Sequence, residues 1–309
     1  MAPINKKRLI FIVGPTAIGK TALAIKLAKR INGEIISCDS MQVYRGMNIL
    51  SQAPSLSERR TVTHHLVGAL SPSREYSAAI FRQKAESLIK SIIGHRKIPI
   101  VVGGSGLYVK ALVDGLFPTP AADRAFRKRM QNFVSRHGSE RLHEKLSGID
   151  PCAAAKIHPN DARRIIRALE IYDSTGRTMT EMKDRTRGLA GEYDIKTFGI
   201  TKSRDGIYSD INRRVDRMFG SGALDEVKRL RRRMPLSKTA KAALGFKEIA
   251  GYLDGEYDLN TAKELLKRNT RRFAKRQFTW FKADKRIRWL DLDRMRETDI
   301  LRKMTKEVK

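Results

Sequence analysis

The first clear pattern in the chain is Leu9-Ile10-Phe11-Ile12-Val13, five apolar residues in a row. An unbroken run of that length predicts a strand buried on both faces. Over 22–31 the apolar positions fall at helical spacing, and Asn32-Gly33 ends the run. Residues 34–37 and 98–102 read as two more short buried strands. A helix is predicted between them over 77–93, ending at Gly94, and another over 107–113. Alternation of strand and helix is the rhythm of a parallel sheet covered by helices on both faces.

At Phe117-Pro118-Thr119-Pro120 the rhythm changes. Residues 122–187 carry helical patterns, no convincing strand and many arginines and lysines. They are expected to form an all-helical insertion that leaves through a loop over 186–191. The predicted segments are a first core part over 1–118, the insertion over 119–192, and a second core part with basic C-terminal helices over 193–309. That last part reads as a strand over 195–200, helices over 206–219, 223–233, 240–253 and 261–281, and a strand over 288–292. The mixed-charge tail after Asp293 is expected to fray.

Between the first strand and its helix stands Gly14-Pro15-Thr16-Ala17-Ile18-Gly19-Lys20-Thr21. It fits G-x-x-x-x-G-K-[ST], the loop whose backbone N–H groups cradle phosphates. Strand before and helix after are the context this motif needs. The loop amides and the positive end of the helix face an anion, Lys20 adds a full charge, and Thr21 offers a hydroxyl to Mg²⁺. The motif leaves open which phosphate compound is held.

Other residues collect on the same sheet edge. Asp39 follows the second strand, where open α/β sheets bind ligands; it reads equally as a helix cap. Gly103-Gly104-Ser105-Gly106 ends a third strand, and Ser105 has a hydroxyl for a phosphate oxygen. His64-His65 is a poor metal pair, because adjacent residues do not share a face on a helix or strand and no Cys or acidic cluster completes a site. Arg163 and Arg167 share a helix face and suit either a nucleic-acid backbone or ion pairs with Asp161 and Glu170. Arg213, Arg214 and Arg217 lie on a helix from which one arginine can close over the phosphate site. Arg268, Arg271, Arg272, Lys275 and Arg276 form a basic stripe whose neighbours Phe273, Phe278, Trp280 and Phe281 read as core.

Charge sharpens this picture. The 309 residues hold 63 Lys+Arg against 33 Asp+Glu, a formal +30. A small-metabolite enzyme has no need of that excess, whereas a polyanion explains it. Two cysteines give neither a disulfide framework nor a zinc-ligand set, so a reducing cytoplasm is expected. The start of the chain shows no signal peptide pattern, and no run is long and apolar enough to span a membrane.

Together these motifs resemble one family, the tRNA dimethylallyltransferases, also called tRNA isopentenyltransferases. The resemblance rests on GPTAIGKT at 14–21, ISCDSMQVYRGM at 36–47, HH at 64–65, EYSAA-FR at 75–82 and VGGSGLYVKAL at 102–112. It continues through IHPNDARRIIRALE at 157–170, RVDRM at 214–218, ALGFKE at 243–248 and TRRFAKRQFTWFK at 270–282. It implies a P-loop NTPase-like sheet with a helical tRNA-binding insertion. It also implies transfer of a dimethylallyl group from dimethylallyl diphosphate to N6 of adenosine-37, beside the anticodon, in tRNAs reading codons that begin with U. The phosphate loop then serves a diphosphate leaving group, with Mg²⁺ as cofactor. Asp39 is implied as general base, with Lys20, Arg214 and Ser105 (where the family usually has Thr) as the other catalytic residues. Contacts to the tRNA anticodon stem-loop are implied for Asp39, Ser40, Met41, Gln42, Ser105, Arg127, Arg163, Arg164, Ile165, Ile166 and Arg167. The bacterial form is expected, since the zinc-finger tail of some eukaryotic relatives is not seen, and the protein is expected to be a monomer. One departure stands out: family members usually carry G-T-A-K-P where this chain has Leu50-Ser51-Gln52-Ala53-Pro54. Three rivals stay open at this level: a P-loop kinase of a small metabolite, an enzyme that prenylates free adenine nucleotides, and a non-enzymatic RNA-binding module.

Overall fold

The apolar run at the start forms β1 (Arg8–Val13), buried at every position after Arg8. Its partners are β2 (Gly33–Ser37), β3 (His64–His65), β4 (Ile98–Gly103), β5 (Asp194–Thr201) and β6 (Arg288–Asp291). These strands make a parallel sheet in the order β3-β2-β4-β1-β5-β6. The structure is a computed structural model that describes residues 7–117, 122–183, 186–233 and 235–308.

Register decides where the site lies. Val13 pairs with Gly103 of β4 and Gly199 of β5, and Ser37 of β2 pairs with Val102. The C-terminal ends of four strands are therefore level, and the chain leaves each of them on one edge. The connections carry α1 (Lys20–Ile31), α2 (Leu56–Thr61), α3 (Ala78–Gly94) and α4 (Gly106–Val113). Two of these elements go beyond the sequence reading. β3 is only two residues long, too short for any alternation, and α2 is a six-residue turn started by a Ser55–Glu58 capping box.

The chain divides into two compact units, one of residues 1–112 with 192–309 and one spanning Val113–Gly191. The expected boundary at 118/119 lies outside the described residues, as do residues 1–6 at the start of the chain. The second unit is helical: α5 (Arg124–Ile149), α6 (Pro151–Ala154), α7 (Ala162–Thr175), α8 (Met179–Lys183) and a short 3₁₀ turn. Gly138 leaves helical geometry and bends α5. Leu142, Leu146, Ile157, Ile165, Ile166 and Leu169 form its core.

After β5 come α9 (Arg204–Gly220), α10 (Ala223–Arg233), α11 (Lys238–Lys241), α12 (Phe246–Leu253) and α13 (Leu259–Lys282). The single helix expected over 240–253 is two. The first ends at Lys241 and is capped by Ala242; Gly245, at φ +92° in the left-handed region, caps the start of the next, its N–H donating to Glu248 Oε2 at 2.9 Å. The frayed tail is also corrected. α14 (Glu297–Val308) packs on α1 and buries Ile300, Leu301, Met304 and Val308 in the main core. Each such side chain contributes about 1.5–3 kcal/mol on burial, so this stripe, and not the charge around it, decides the tail's conformation. Among the described residues no helix is long and apolar enough to cross a membrane.

Candidate active site

The loop after β1 turns between the sheet and α1. Gly14 passes so close to β5 that a Cβ would sit 2.6 Å from the Ile200 carbonyl oxygen, and its φ is +143°. Only glycine fits that passage. Gly14 and Pro15 are buried behind the loop, while Thr16, Ala17, Ile18, Gly19, Lys20 and Thr21 line a cleft of about 1280 Å³. The expected phosphate loop is thus split: its first two residues shape the turn and the other six face the cleft.

Lys20 Nζ folds back to donate to the Pro15 carbonyl at 2.6 Å. Burial lowers its ammonium from 10.5 to about 7; the Arg214 charge pushes the same way and the Asp39 charge opposes it. Arg214 reaches the loop from α9. Its Nη1 donates to Thr16 Oγ1 at 2.7 Å and its Nε to Gln52 Oε1 at 3.1 Å. Burial brings this guanidinium down to about 10, again with Asp39 opposing. Two neighbouring cations that disfavour each other make this part of the cleft favourable to an anion.

Asp39 does not start a helix, as one sequence reading has it, but stands at the head of a turn. Its Oδ1 accepts from the N–H groups of Met41 at 2.8 Å and Gln42 at 3.3 Å, so it caps a turn, not a helix. Its side chain also lines the cleft. Pinning one oxygen fixes where the other points, as a proton acceptor requires. Ser40 and Met41 are partly exposed on that turn. Gln42 is the turn's anchor: its Oε1 accepts from Ser37 Oγ at 2.7 Å and its Nε2 donates to the carbonyl of Gln52 at 3.2 Å.

Three polar residues that the sequence reading passed over hold this arrangement together. Gln277 of α13 accepts from the Thr16 N–H at 2.8 Å and donates to the Gly104 carbonyl at 2.9 Å, joining the two glycine turns. Gly104 is needed there, because a Cβ would lie 2.2 Å from Gln277 Nε2. Glu226 of α10 is buried and accepts from the N–H groups of Ile49 and Leu50, both at 2.9 Å. Gln52 completes the set by orienting Arg214. The signal for Gln277 was present: it shares the buried face of α13 with Ala274 and Phe281, where an uncharged polar residue needs partners.

Ser105 is not among the cleft-lining residues; it is partly exposed at the start of α4, where its carbonyl accepts from Tyr108 and Val109. The two histidines diverge. His65 pairs with Glu34 at 2.6 Å, whereas His64 donates from Nδ1 to the Val62 carbonyl and lines the cleft. Among the described residues no cluster of three His, Cys, Asp or Glu forms a metal site. Arg213 pairs with Asp210, while Arg214 and Arg217, which also line the cleft, form no ion pair among the described residues.

The helical unit corrects part of the expected tRNA surface. Ile165 and Ile166 are buried in its core, so their side chains cannot face RNA. Arg127 and Arg167 both grip Glu170, which is 2% exposed: Arg127 at 2.8 and 2.7 Å, Arg167 at 2.5 Å. Burial alone would raise the Glu170 carboxyl, but the two guanidiniums hold it below its ordinary value. Arg163 is exposed and Arg164 pairs with Asp161 at 3.3 Å.

A parallel sheet with a phosphate loop after an inner strand, facing a fixed carboxylate and an inward arginine, defines a P-loop NTPase-like transferase. A family model described as IPP transferase matches residues 42–284. The chain is 49% identical over 286 residues to the tRNA dimethylallyltransferase of Carboxydothermus hydrogenoformans, covering 92% of each chain. It is 45% identical over 290 residues to that of Halothermothrix orenii, covering 93% of this chain and 88% of the relative. The full-length tRNA isopentenylpyrophosphate transferase from Bacillus halodurans superposes with a TM-score of 0.72 at 42% identity, over 98% of this chain and 97% of the other. A eukaryotic dimethylallyltransferase captured acting on tRNA gives 0.73 at 31% identity, over 92% of this chain and 74% of the other. The chain belongs to the tRNA dimethylallyltransferase family.

Proposed function

We propose that this protein transfers a dimethylallyl group from dimethylallyl diphosphate to N6 of adenosine-37 in tRNAs reading codons that begin with U. The observation that carries the reading is the meeting, in one cleft, of an anion cradle and a fixed carboxylate: Lys20, Thr21, Arg214 and Asp39 all line it. In the reaction the bond from the prenyl C1 to the diphosphate oxygen breaks and the bond from N6 to C1 forms. Diphosphate leaves with its electron pair, and the N6 proton passes to Asp39. A carboxylate is too weak a base to deprotonate a free exocyclic amine. It accepts the proton once bond formation has made that nitrogen acidic, so its work comes late.

Lys20, Arg214 and the loop amides stabilise charge as it develops on the leaving group. The cleft's oxygen donors suit Mg²⁺, with the Thr21 hydroxyl as its protein ligand and the substrate's phosphate oxygens completing the set. Bound there, the ion would add positive charge against the departing diphosphate. For the adenine to reach Asp39 it must leave the anticodon stack. The helical unit, with Arg163 exposed, is the expected grip on the stem-loop.

Single-turnover transfer with the Asp39→Ala variant tests the reading. Transfer should fall at least about 10³-fold while affinity for unmodified tRNA stays within about 3-fold. Transfer at the native rate would remove Asp39 from the base role.

A further inference from the structure

One side-chain row of α13 runs out of the cleft onto the surface. Phe273 and Gln277 line the cleft. Trp280 follows one turn later on the same face and is 43% exposed. Its indole is nevertheless seated: a Cβ at Gly106 would lie 2.2 Å from Trp280 Cδ1 and 2.4 Å from Nε1. Gly106 directly follows Ser105 of the second glycine turn. Its neighbour Leu107, on α4, is 52% exposed. Other aromatics of α13 are used elsewhere, with Phe281 buried and Phe278 packed on Trp289 at 5.4 Å. Trp280 has one edge fixed by the fold and a broad surface open.

The rim of this apolar face is cationic. Arg276, one turn before Trp280, is exposed and its guanidinium stands 5.7 Å over the Phe273 ring. Lys110, one turn after Leu107, is exposed, and its charge acts on Asp284 just past the end of α13. The face therefore joins an aromatic plane to fixed positive charge beside the mouth of the cleft. Unpaired nucleobases flanked by phosphates have the complementary chemistry.

We propose that Trp280 is the stacking platform for an unpaired RNA base adjacent to the adenosine that enters the cleft, with Arg276 and Lys110 facing its phosphates. This rests on the reading of tRNA as the acceptor. A platform on the same helix as Gln277, which braces the phosphate loop, holds the neighbouring base while the target is out of the stack.

The chain has two tryptophans, so Trp289→Phe leaves Trp280 as the sole indole reporter. Adding an unmodified anticodon stem-loop RNA, without prenyl donor, should quench its emission. Trp280→Leu should weaken binding of that RNA roughly 5- to 100-fold, and Trp280→Phe less than about 3-fold. The slope of affinity against salt should not change with Trp280→Leu, because stacking releases no counterions. Diphosphate affinity should also hold, which excludes misfolding as the cause. Absence of quenching, or native RNA affinity in Trp280→Leu, overturns the proposal. So does a shift in sedimentation without loss of RNA affinity, which would assign the face to a second copy of the chain. Quenching in a protein that transfers no prenyl group supports the platform and refutes the transferase reading alone.

Discussion

Gln52 Oε1 accepts a hydrogen bond from Arg214 Nε at 3.1 Å, while Gln52 Nε2 donates to the Ile49 carbonyl at 2.7 Å. The second bond fixes which end of the amide faces the arginine. A neutral acceptor aims Arg214 at Thr16 without cancelling its charge. Arg214→Ala should lower kcat/KM about 10²- to 10³-fold, and Gln52→Ala about 3- to 10-fold. The double variant should be no slower than Arg214→Ala, since the amide acts only through the arginine. Multiplying losses in that double variant would separate the two residues.

The Lys20 ammonium sits near 7 in the cleft, and a bound diphosphate raises it again. Above pH 7 binding must therefore take up a proton, and affinity should weaken as pH rises from 7 to 9. Calorimetry of the diphosphate in two buffers of different ionisation enthalpy measures that uptake directly. Equal heats in both at pH 8 would contradict it.

The same residue sets a trade between stability and function. Its folded value lies below the 10.5 of the unfolded chain. The penalty for burying the cation therefore grows as pH falls from 10.5 towards 7 and is constant below that. Lys20→Met should raise the stability of the anion-free protein by about 1–3 kcal/mol at pH 6, less at pH 9, while abolishing transfer. Denaturant melts at the two pH values check this.

In the helical unit, Glu170 is buried between two arginines, whereas Arg163 is exposed. Glu170→Ala should cost about 2–3 kcal/mol, because it strands Arg127, Arg167 and the Asp123 N–H. Its folded value is lowered from 4.5, so its contribution is complete above that pH and is lost as pH falls further. Arg163→Ala should leave melting unchanged and reduce the salt slope of tRNA binding by about one phosphate contact. An unaltered slope would place that arginine away from the backbone.

The two inner strands β1 and β4 were legible because they are nearly unbroken apolar runs, and the loop at Gly14 was legible because its spacing is chemical. The tail was misread although Ile300, Leu301, Met304 and Val308 form a helical stripe; the surrounding charge hid it. Gln52 and Gln277 lay inside quoted stretches, but nothing in those stretches told their partners. Their roles come from partners 162 and 261 residues away, and only the fold creates those meetings. For Arg167 the ion pair with Glu170 was one of the two readings the sequence offered, and Arg127 joins it on the same buried carboxylate.

The central claim is that one cleft joins a diphosphate cradle to a base for adenosine in tRNA. Labelled dimethylallyl diphosphate, Mg²⁺ and unmodified tRNA bearing A36-A37, with AMP and ATP as competing acceptors, test it in a single reaction. The account predicts label on adenosine-37 of the tRNA and none on the nucleotides. Label on AMP or ATP, or phosphate transfer from ATP with no prenyl transfer at all, would contradict it.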